Sequence, residues 1–305
     1  MASEELRLGL DLGGTKIEGI ALEPGGRELG RLRIDTPREY EETLAALEAL
    51  VRRLEETAGG RGTVGLGIPG TISSTTGLVK NANSTWLIGR PLDRDLAERL
   101  GRPVRVANDA NCFALSESVD GAGSGERSVF GVILGTGVGG GIVIDGRVLV
   151  GAMGVAGEWG HNPLPWPRDD ERPGPPCYCG KNGCIETFLS GPGMRLDHRN
   201  ATGRDWTTRA IGDAAGVGDP GAVAARRRYV DRLARGLATV IDVLDPHVVV
   251  LGGGLSNLGG LAEEVQAALP EWVFTDEVLT RVRRNLHGDS SGVRGAAWLW
   301  GREGA

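Results

Sequence analysis

The chain predicts an α/β fold made of two related halves, and two observations carry that prediction. From Leu6 onward the order reads strand, strand, strand, helix, strand, helix, strand, helix, which is a mixed sheet covered by helices. The run S-V-F-G-V-I-L-G-T-G-V-G-G-G-I-V-I-D-G-R-V at 128–148 then repeats the opening order of strand, glycine turn, strand and hairpin. A repeated opening implies a duplicated fold with a cleft between the halves.

Each element has a local reason. L-R-L-G-L-D-L at 6–12 alternates into a buried strand, G-G-T-K turns, and I-E-G-I-A-L continues as a second strand. Gly25 and Gly26 signal a hairpin into R-E-L-G-R-L-R-I. Pro37 precedes an amphipathic helix over 39–57, with Leu44, Leu47, Leu50, Val51 and Leu54 on one face. T-V-G-L-G-I-P-G forms a strand that ends in a turn, Leu92 to Leu100 a short helix, and V-R-V-A-N-D-A-N a strand that enters a helix near Asn111. After the repeated opening, 163–176 is a proline-rich irregular loop. Helices follow at about 185–200 and 219–244, then the strand H-V-V-V-L ending in three glycines, and two helical patterns near 257–268 and 292–301. The halves divide near residue 118, giving a lobe of 1–118 and a larger lobe of 119–291.

Composition narrows the class. The 305 residues have room for two cores, and a net charge of −6 gives no electrostatic case for nucleic acid. The 51 glycines far exceed the usual ~7% and cluster in short apolar-flanked loops. Cys112 alone lies outside a cysteine cluster, which excludes a disulfide framework and fits a reducing cytoplasm. The acidic N-terminus meets a strand at once and is no signal peptide, and no apolar stretch approaches the ~18 residues of a membrane span.

Three glycine loops point to a nucleotide. In Asp11-Leu12-Gly13-Gly14-Thr15-Lys16, backbone N–H groups can face phosphate oxygens because glycine has no Cβ in the way. Thr15 adds a hydroxyl donor, and Asp11 a carboxylate able to hold hydrated Mg²⁺. Gly135, Thr136, Gly137, Gly139 and Gly140 offer the same chemistry from the second half. Gly252, Gly253 and Gly254 follow a strand and open a helix, whose N-terminus favours an anion. Any one of these loops can be a plain tight turn; three strand-linked loops in one chain point to a nucleotide site. Neither the Walker A pattern nor the dinucleotide fingerprint is present.

The metal signal is local. Cys177, Cys179 and Cys184 fall within eight positions, and His161 stands sixteen residues upstream. Three thiolates and an imidazole are what a tetrahedral Zn²⁺ takes, and four protein ligands leave no open position for an activated water. A redox pair is the rival reading, against C-x-C spacing; unligated cysteines are the third.

D-L-G-G-T-K, G-I-P-G, A-N-D-A-N, G-T-G-V-G-G-G, G-E-W-G-H and C-x-C-G-x-x-G-C-x-E together resemble the ROK family of repressors, open reading frames and sugar kinases, in order from residue 6 to about 300. V-K-N-A-N-S-T-W-L, G-H-N-P-L-P-W, C-Y-C-G-K-N-G-C-I-E-T-F and H-G-D-S-S-G-V-R-G-A-A-W-L-W are similar to bacterial fructokinases of the manno(fructo)kinase type. The resemblance implies a two-lobed actin-like ATPase (ribonuclease H-like) fold, with ATP and sugar in the interlobe cleft. It also implies that a C-terminal helix at about 292–305 returns to the first lobe.

The activity so implied is ATP-dependent phosphorylation of a hexose at its 6-hydroxyl, fructose first and mannose second, by a cytoplasmic homodimer. N-acetylglucosamine or glucose is the runner-up. Asp109 suits the general base, its alternative being a cap on the following helix. Asn108 contacts sugar hydroxyls; Glu158 and Glu186 are bidentate hydroxyl acceptors, against the alternative of surface glutamates. His161 serves twice, one ring nitrogen on zinc and the other donating to a sugar hydroxyl. Asn83 and Ser84 complete the pocket with Gly70, while Trp86 either stacks on the sugar or packs in the core. The rivals are a transcriptional regulator, disfavoured because ten residues precede Asp11 where a helix-turn-helix would stand, and a non-catalytic sugar sensor.

Overall fold

A computed structural model describes residues 6–82, 84–288 and 291–301. The chain divides into two units. The first holds the chain up to Arg127, Gly141–Ala156 and the C-terminal stretch; the second holds Ser128–Gly140 and Gly157–Gly288.

In the first unit, β1 (Leu6–Leu12), β2 (Lys16–Leu22), β3 (Glu28–Asp35), β4 (Gly62–Ile68) and, later, β7 (Val104–Asn108) form a five-stranded sheet ordered β3-β2-β1-β4-β7. The hairpin strands β1, β2 and β3 are antiparallel, while β4 joins β1 and β7 joins β4 in parallel. Helix α1 (Tyr40–Ala58) buries Leu44, Leu47, Leu50, Val51 and Leu54, each stabilising by about 1.5–3 kcal/mol. It stops at Gly59, whose φ of 73° only glycine adopts without strain. Two-residue strands β5 (Thr71–Ile72) and β6 (Val79–Lys80) make a small hairpin absent from the expected order. Helix α2 (Leu92–Leu100) falls where expected.

Helix α3 (Asp109–Val119) begins two residues earlier than expected, capped by Asn108, whose Oδ1 accepts from the Ala110 N–H at 2.9 Å. Helix α9 (Ser291–Trp298) closes the unit against β1, β4 and α3. The approach is so close that a Cβ on Gly9, Gly65 or Gly295 would overlap the carbonyl oxygen of Val293, Ala296 or Cys112 respectively.

The second sheet is ordered β10-β9-β8-β11-β12, from β8 (Ser128–Leu134), β9 (Val138–Ile144), β10 (Arg147–Val148), β11 (Val248–Gly252) and β12 (Arg281–Arg284). Strand β9 leaves the second unit after Gly140 and runs into the first. There β10 lies on α3, and the carbonyls of Ala152 and Met153 accept from Ser74 Oγ at 3.2 Å and Lys80 Nζ at 2.9 Å, which is why 141–156 packs with the first unit.

The helix expected over 185–200 is two, α4 (Ile185–Leu189) and α5 (Gly191–Thr202), broken at an extended Ser190 whose Oγ accepts from the Gly193 N–H. Helix α6 (Thr208–Gly216), capped by Thr207, and the edge strand β12 were not expected. Helix α7 (Pro220–Leu244) starts at an Asp219 cap followed by proline, and α8 (Leu261–Ala268) ends the second unit's helices. Among the described residues, no helix is long and apolar enough to cross a membrane.

Candidate active site

The first unit carries two carboxylates close together. Asp11 ends β1 and Asp109 opens α3; burial, then Asp109, then Glu18 push the Asp11 carboxyl up to about 7. Glu18 is itself paired with Arg31 and Arg33, so Asp11 and Asp109 are the carboxylates left to face a cation, whose charge would return Asp11 to its ionised form. Gly14, Thr15 and Lys16 stand exposed beside it, on a turn held by a Gly13 N–H to Lys16 carbonyl bond of 3.0 Å and by Thr36, whose Oγ1 donates to the Gly13 carbonyl at 2.8 Å.

Asp109 is exposed, and its Oδ1 accepts from the Ala110 N–H at 2.8 Å. The cap itself is Asn108, so the capping alternative considered for Asp109 falls mainly to its neighbour. Asn108 also donates through Nδ2 to the Gly70 carbonyl at 3.3 Å, which ties two expected sugar-site residues together. Ser84 is buried, with its hydroxyl unpaired among the described residues, an arrangement that a ligand's polar group would relieve. Asn83 lies outside the described residues. Trp86 packs against the first unit's core and donates Nε1 to Thr43 Oγ1 at 3.2 Å, which accounts for the residue as a packing group.

In the second unit, the turn between β8 and β9 is Gly135-Thr136-Gly137, closed by a Gly135 N–H to Gly137 carbonyl bond of 3.0 Å. Gly139 and Gly140 sit inside β9 instead of on the anion loop. The Gly139 carbonyl accepts from Trp159 Nε1 at 3.0 Å, and a Cβ on Gly140 would come within 2.8 Å of the Trp159 ring. Gly252 ends β11, Gly253 has a φ of 80° against the Leu134 backbone, and Gly254 opens a single 3-10 turn, Gly254–Asn257. The expected α-helix N-terminus is therefore absent there.

The second and third glycine loops nevertheless line one cavity of about 760 Å³. Gly135, Thr136 and Gly254 meet Pro192, Leu196 and Leu255, with Arg195, Arg199, Thr207 and Thr208 at its polar side. That volume falls within the usual ~300–1,000 Å³ of small-molecule sites. Sequence reasoning missed the wall from α5 and α6; the capping Thr207 and the S-G-P-G break were its only marks. A second cavity of about 260 Å³ shares Thr136, Pro192 and Leu196 and is lined also by Cys177, Tyr178 and Glu186.

The candidate metal ligands converge. One atom from each of His161, Cys177, Cys179 and Cys184 lies within 4.8 Å of the others. Cys179 Sγ is 3.6 Å from Cys184 Sγ, and Cys177 Sγ 3.5 Å from His161 Nδ1, all four cysteines being free thiols. Ligands at the usual ~2.0–2.3 Å from a tetrahedral Zn²⁺ would stand at about these separations, so the donor set fits the ion. A turn holds the thiols: the Cys177 N–H donates to the Lys181 carbonyl at 2.8 Å, and a β-bridge joins Pro163 to Cys184.

His161 ends a 3-10 turn anchored by buried Trp159, with Glu158 exposed at its start. The other His161 nitrogen, expected to meet a sugar, instead lies 2.9 Å from the Tyr178 hydroxyl. Glu186 is likewise engaged: its Oε2 accepts from the Val138 N–H at 2.9 Å, and a Cβ on Gly137 would sit 2.7 Å from that oxygen. Glu186 thus ties the metal loop to the glycine turn. Of the other histidines, buried His198 stacks on Trp206, and exposed His247 sets Nδ1 2.6 Å from Ser128 Oγ.

A buried ion network holds the loop that leads to the cysteines. Glu171 accepts from Arg235 Nη1 and Nη2 at 2.9 and 2.7 Å, from Arg232 Nε at 2.7 Å and from the Arg168 N–H at 2.9 Å. Arg235 Nη1 also donates to the carbonyls of Pro165 and Trp166. Burial pushes the Glu171 carboxyl up, but the guanidinium bonds outweigh it and hold it at about 2.

The chain has full-length relatives among known proteins. The chain is 41% identical over 301 residues to the N-acetyl-D-glucosamine kinase of Pasteurella multocida, covering 97% of this chain and 99% of the relative. Its fold matches a ROK hexokinase from Thermus thermophilus, with a TM-score of 0.84 at 36% identity over 96% of this chain and 97% of the other. A ROK glucokinase from Streptomyces griseus, solved with glucose and AMPPNP, matches with a TM-score of 0.77 at 31% identity over 96% and 98%. The α/β kinase fold implied by the resemblance is therefore the observed one, whereas the expected closeness to fructokinases finds no support. With the ROK family model matching residues 7–303, the chain belongs to the ROK family.

Proposed function

We propose that this chain transfers the γ-phosphoryl group of ATP to a hexose, with N-acetyl-D-glucosamine as the preferred acceptor. One observation carries the kinase reading: two glycine loops from different strands line a single nucleotide-sized cavity that adjoins the metal loop. The full-length similarity to an N-acetyl-D-glucosamine kinase supports that sugar over the fructose expected first, and makes this the runner-up's case.

In this reading ATP binds with its base and ribose in the larger cavity and its phosphates toward Gly135–Gly137. Gly13, Gly14, Thr15 and Lys16 serve the phosphates from the first unit. Asp11 would hold a hydrated Mg²⁺, which when bound neutralises phosphate charge. Asp109 accepts the proton of the attacking sugar hydroxyl, the 6-hydroxyl in this family reading, as the new O–P bond forms and ADP leaves. Asn108, Gly70, Ser84 and Asn83 in the first unit, and Glu158, Glu186 and the His161 loop in the second, hold the other hydroxyls. His161, Cys177, Cys179 and Cys184 would hold a Zn²⁺, which when bound would give that loop its shape. A homodimer belongs to the same family reading.

Coupled measurement of ADP release across N-acetylglucosamine, glucose, mannose and fructose tests the proposal. Highest kcat/KM on N-acetylglucosamine is expected. Activity confined to fructose and mannose overturns the sugar, and no sugar-dependent ADP release from protein that binds sugar leaves the non-catalytic sensor.

A further inference from the structure

Tyr178 stands between two candidate ligands, Cys177 and Cys179, so its backbone is fixed wherever the metal is bound. Its ring meets the His161 ring edge to face, with centroids 5.0 Å apart at 89°, and its hydroxyl lies 2.9 Å from Nε2. The residue is nonetheless 81% exposed and lines the smaller cavity together with Thr136 and Glu186.

The order of protons follows from the ligand geometry. Nδ1 of His161 faces Cys177 Sγ and the centre of the cluster. A nitrogen that lends its lone pair to a cation carries no proton, so the proton of the neutral ring sits on Nε2. Nε2–H then donates to the Tyr178 hydroxyl oxygen, and the Tyr178 O–H is left to donate elsewhere. We propose that Tyr178 is a positioning residue with two effects: its oxygen holds the His161 ring on the metal, and its O–H presents to the sugar the hydrogen bond expected of His161. A tyrosine kept only for packing would bury its ring; this one exposes ring and hydroxyl on the cavity side of the metal loop.

The proposal rests on the reading that sugar binds at this loop, and its test separates the two. Tyr178→Phe keeps the ring and removes only the oxygen. Zinc-loaded wild type and variant are titrated with a chelator, and steady-state kinetics are run with N-acetylglucosamine. The variant should release zinc at least tenfold more readily, as expected for loss of the group that orients a metal-bound histidine. Its sugar KM should rise about tenfold, the loss of one hydrogen bond, while kcat and the KM for ATP change less than twofold. Unchanged chelator resistance, or an unchanged sugar KM, overturns the proposal. A lowered sugar KM overturns it too, because the tyrosine would then merely cover a nitrogen that the sugar takes directly. A wild type that holds zinc but releases no sugar-dependent ADP sinks the kinase reading itself, and with it the sugar half of this one.

Discussion

Replacing Glu171 by Gln should destabilise the second unit severely, and the magnitude follows from its four hydrogen bonds. Oε1 accepts from Arg232 Nε and Arg235 Nη2, and Oε2 from Arg235 Nη1 and the Arg168 N–H. Whichever way the amide is turned, its NH₂ faces two donors, so two of the four bonds are lost. Each involves a charged partner or replaces a charged acceptor and is worth roughly 1.5–3 kcal/mol. Arg235, which is 0% exposed, also keeps a charge that the carboxylate no longer offsets. The sum, about 3–6 kcal/mol, agrees with the ~3–5 kcal/mol typical of breaking a buried pair.

Thermal unfolding followed by circular dichroism should show Tm lowered by about 6–24 °C, at ~2–4 °C per kcal/mol. The pH dependence supplies a second reading. The carboxyl stands at about 2 in the folded chain against 4.5 ordinarily, so its contribution is present above 4.5 and is lost as pH falls through about 2. Between those values wild type should lose stability that the Gln variant never had, and the gap between them should narrow. A Tm within 2 °C of wild type at pH 7 would refute the reasoning.

Three further outcomes follow from the geometry. Asp109→Asn should lower kcat by about 10²–10⁴ with Tm unchanged, and unimpaired ADP release would exclude Asp109 as the base. Asp11→Asn should raise the Tm of ligand-free protein at pH 8 and leave it unchanged near pH 4. The wild-type carboxyl, raised to about 7, favours the folded chain when protonated, and that stability is lost as pH rises through this value; equal effects at both pH values would count against it. Gly295→Ala sets a methyl group against the Cys112 carbonyl and should cost about 1–3 kcal/mol or more, seen as a lower urea midpoint; a wild-type midpoint would show that α9 can shift freely.

The candidate metal cluster was legible in sequence because its four side chains lie within 24 positions, where spacing alone restricts the geometry. The strands of both sheets were legible through their apolar runs and glycine turns. Helix α6 escaped because it buries only Ile211, and β12 because R-V-R-R on a sheet edge carries no apolar alternation. The glycine runs misled in one respect. Gly139, Gly140 and Gly252 were grouped with the anion loops, yet they lie in strands, and nothing in the one-letter string separates a glycine that cradles phosphate from one that admits an indole. The larger cavity's polar wall comes from Arg195, Arg199, Thr207 and Thr208, ordinary helix-surface and capping residues until the chain folds. Sugar choice depends on placing hydroxyl partners to within a fraction of an ångström, which no motif encodes.

Helix α9 also sets a clock. It covers β1, β4 and α3 of the first unit, yet residues 291–298 are synthesised long after the strands they cover. At ~5–20 residues per second, the sheet begun at Leu6 waits on the order of ten seconds or more after Arg127 has been synthesised before its bare face is covered. The first unit is thus completed only after the residues of the second have been made. During that interval the strip around Gly9 and Gly65, which α9 will cover, stays bare on the nascent chain.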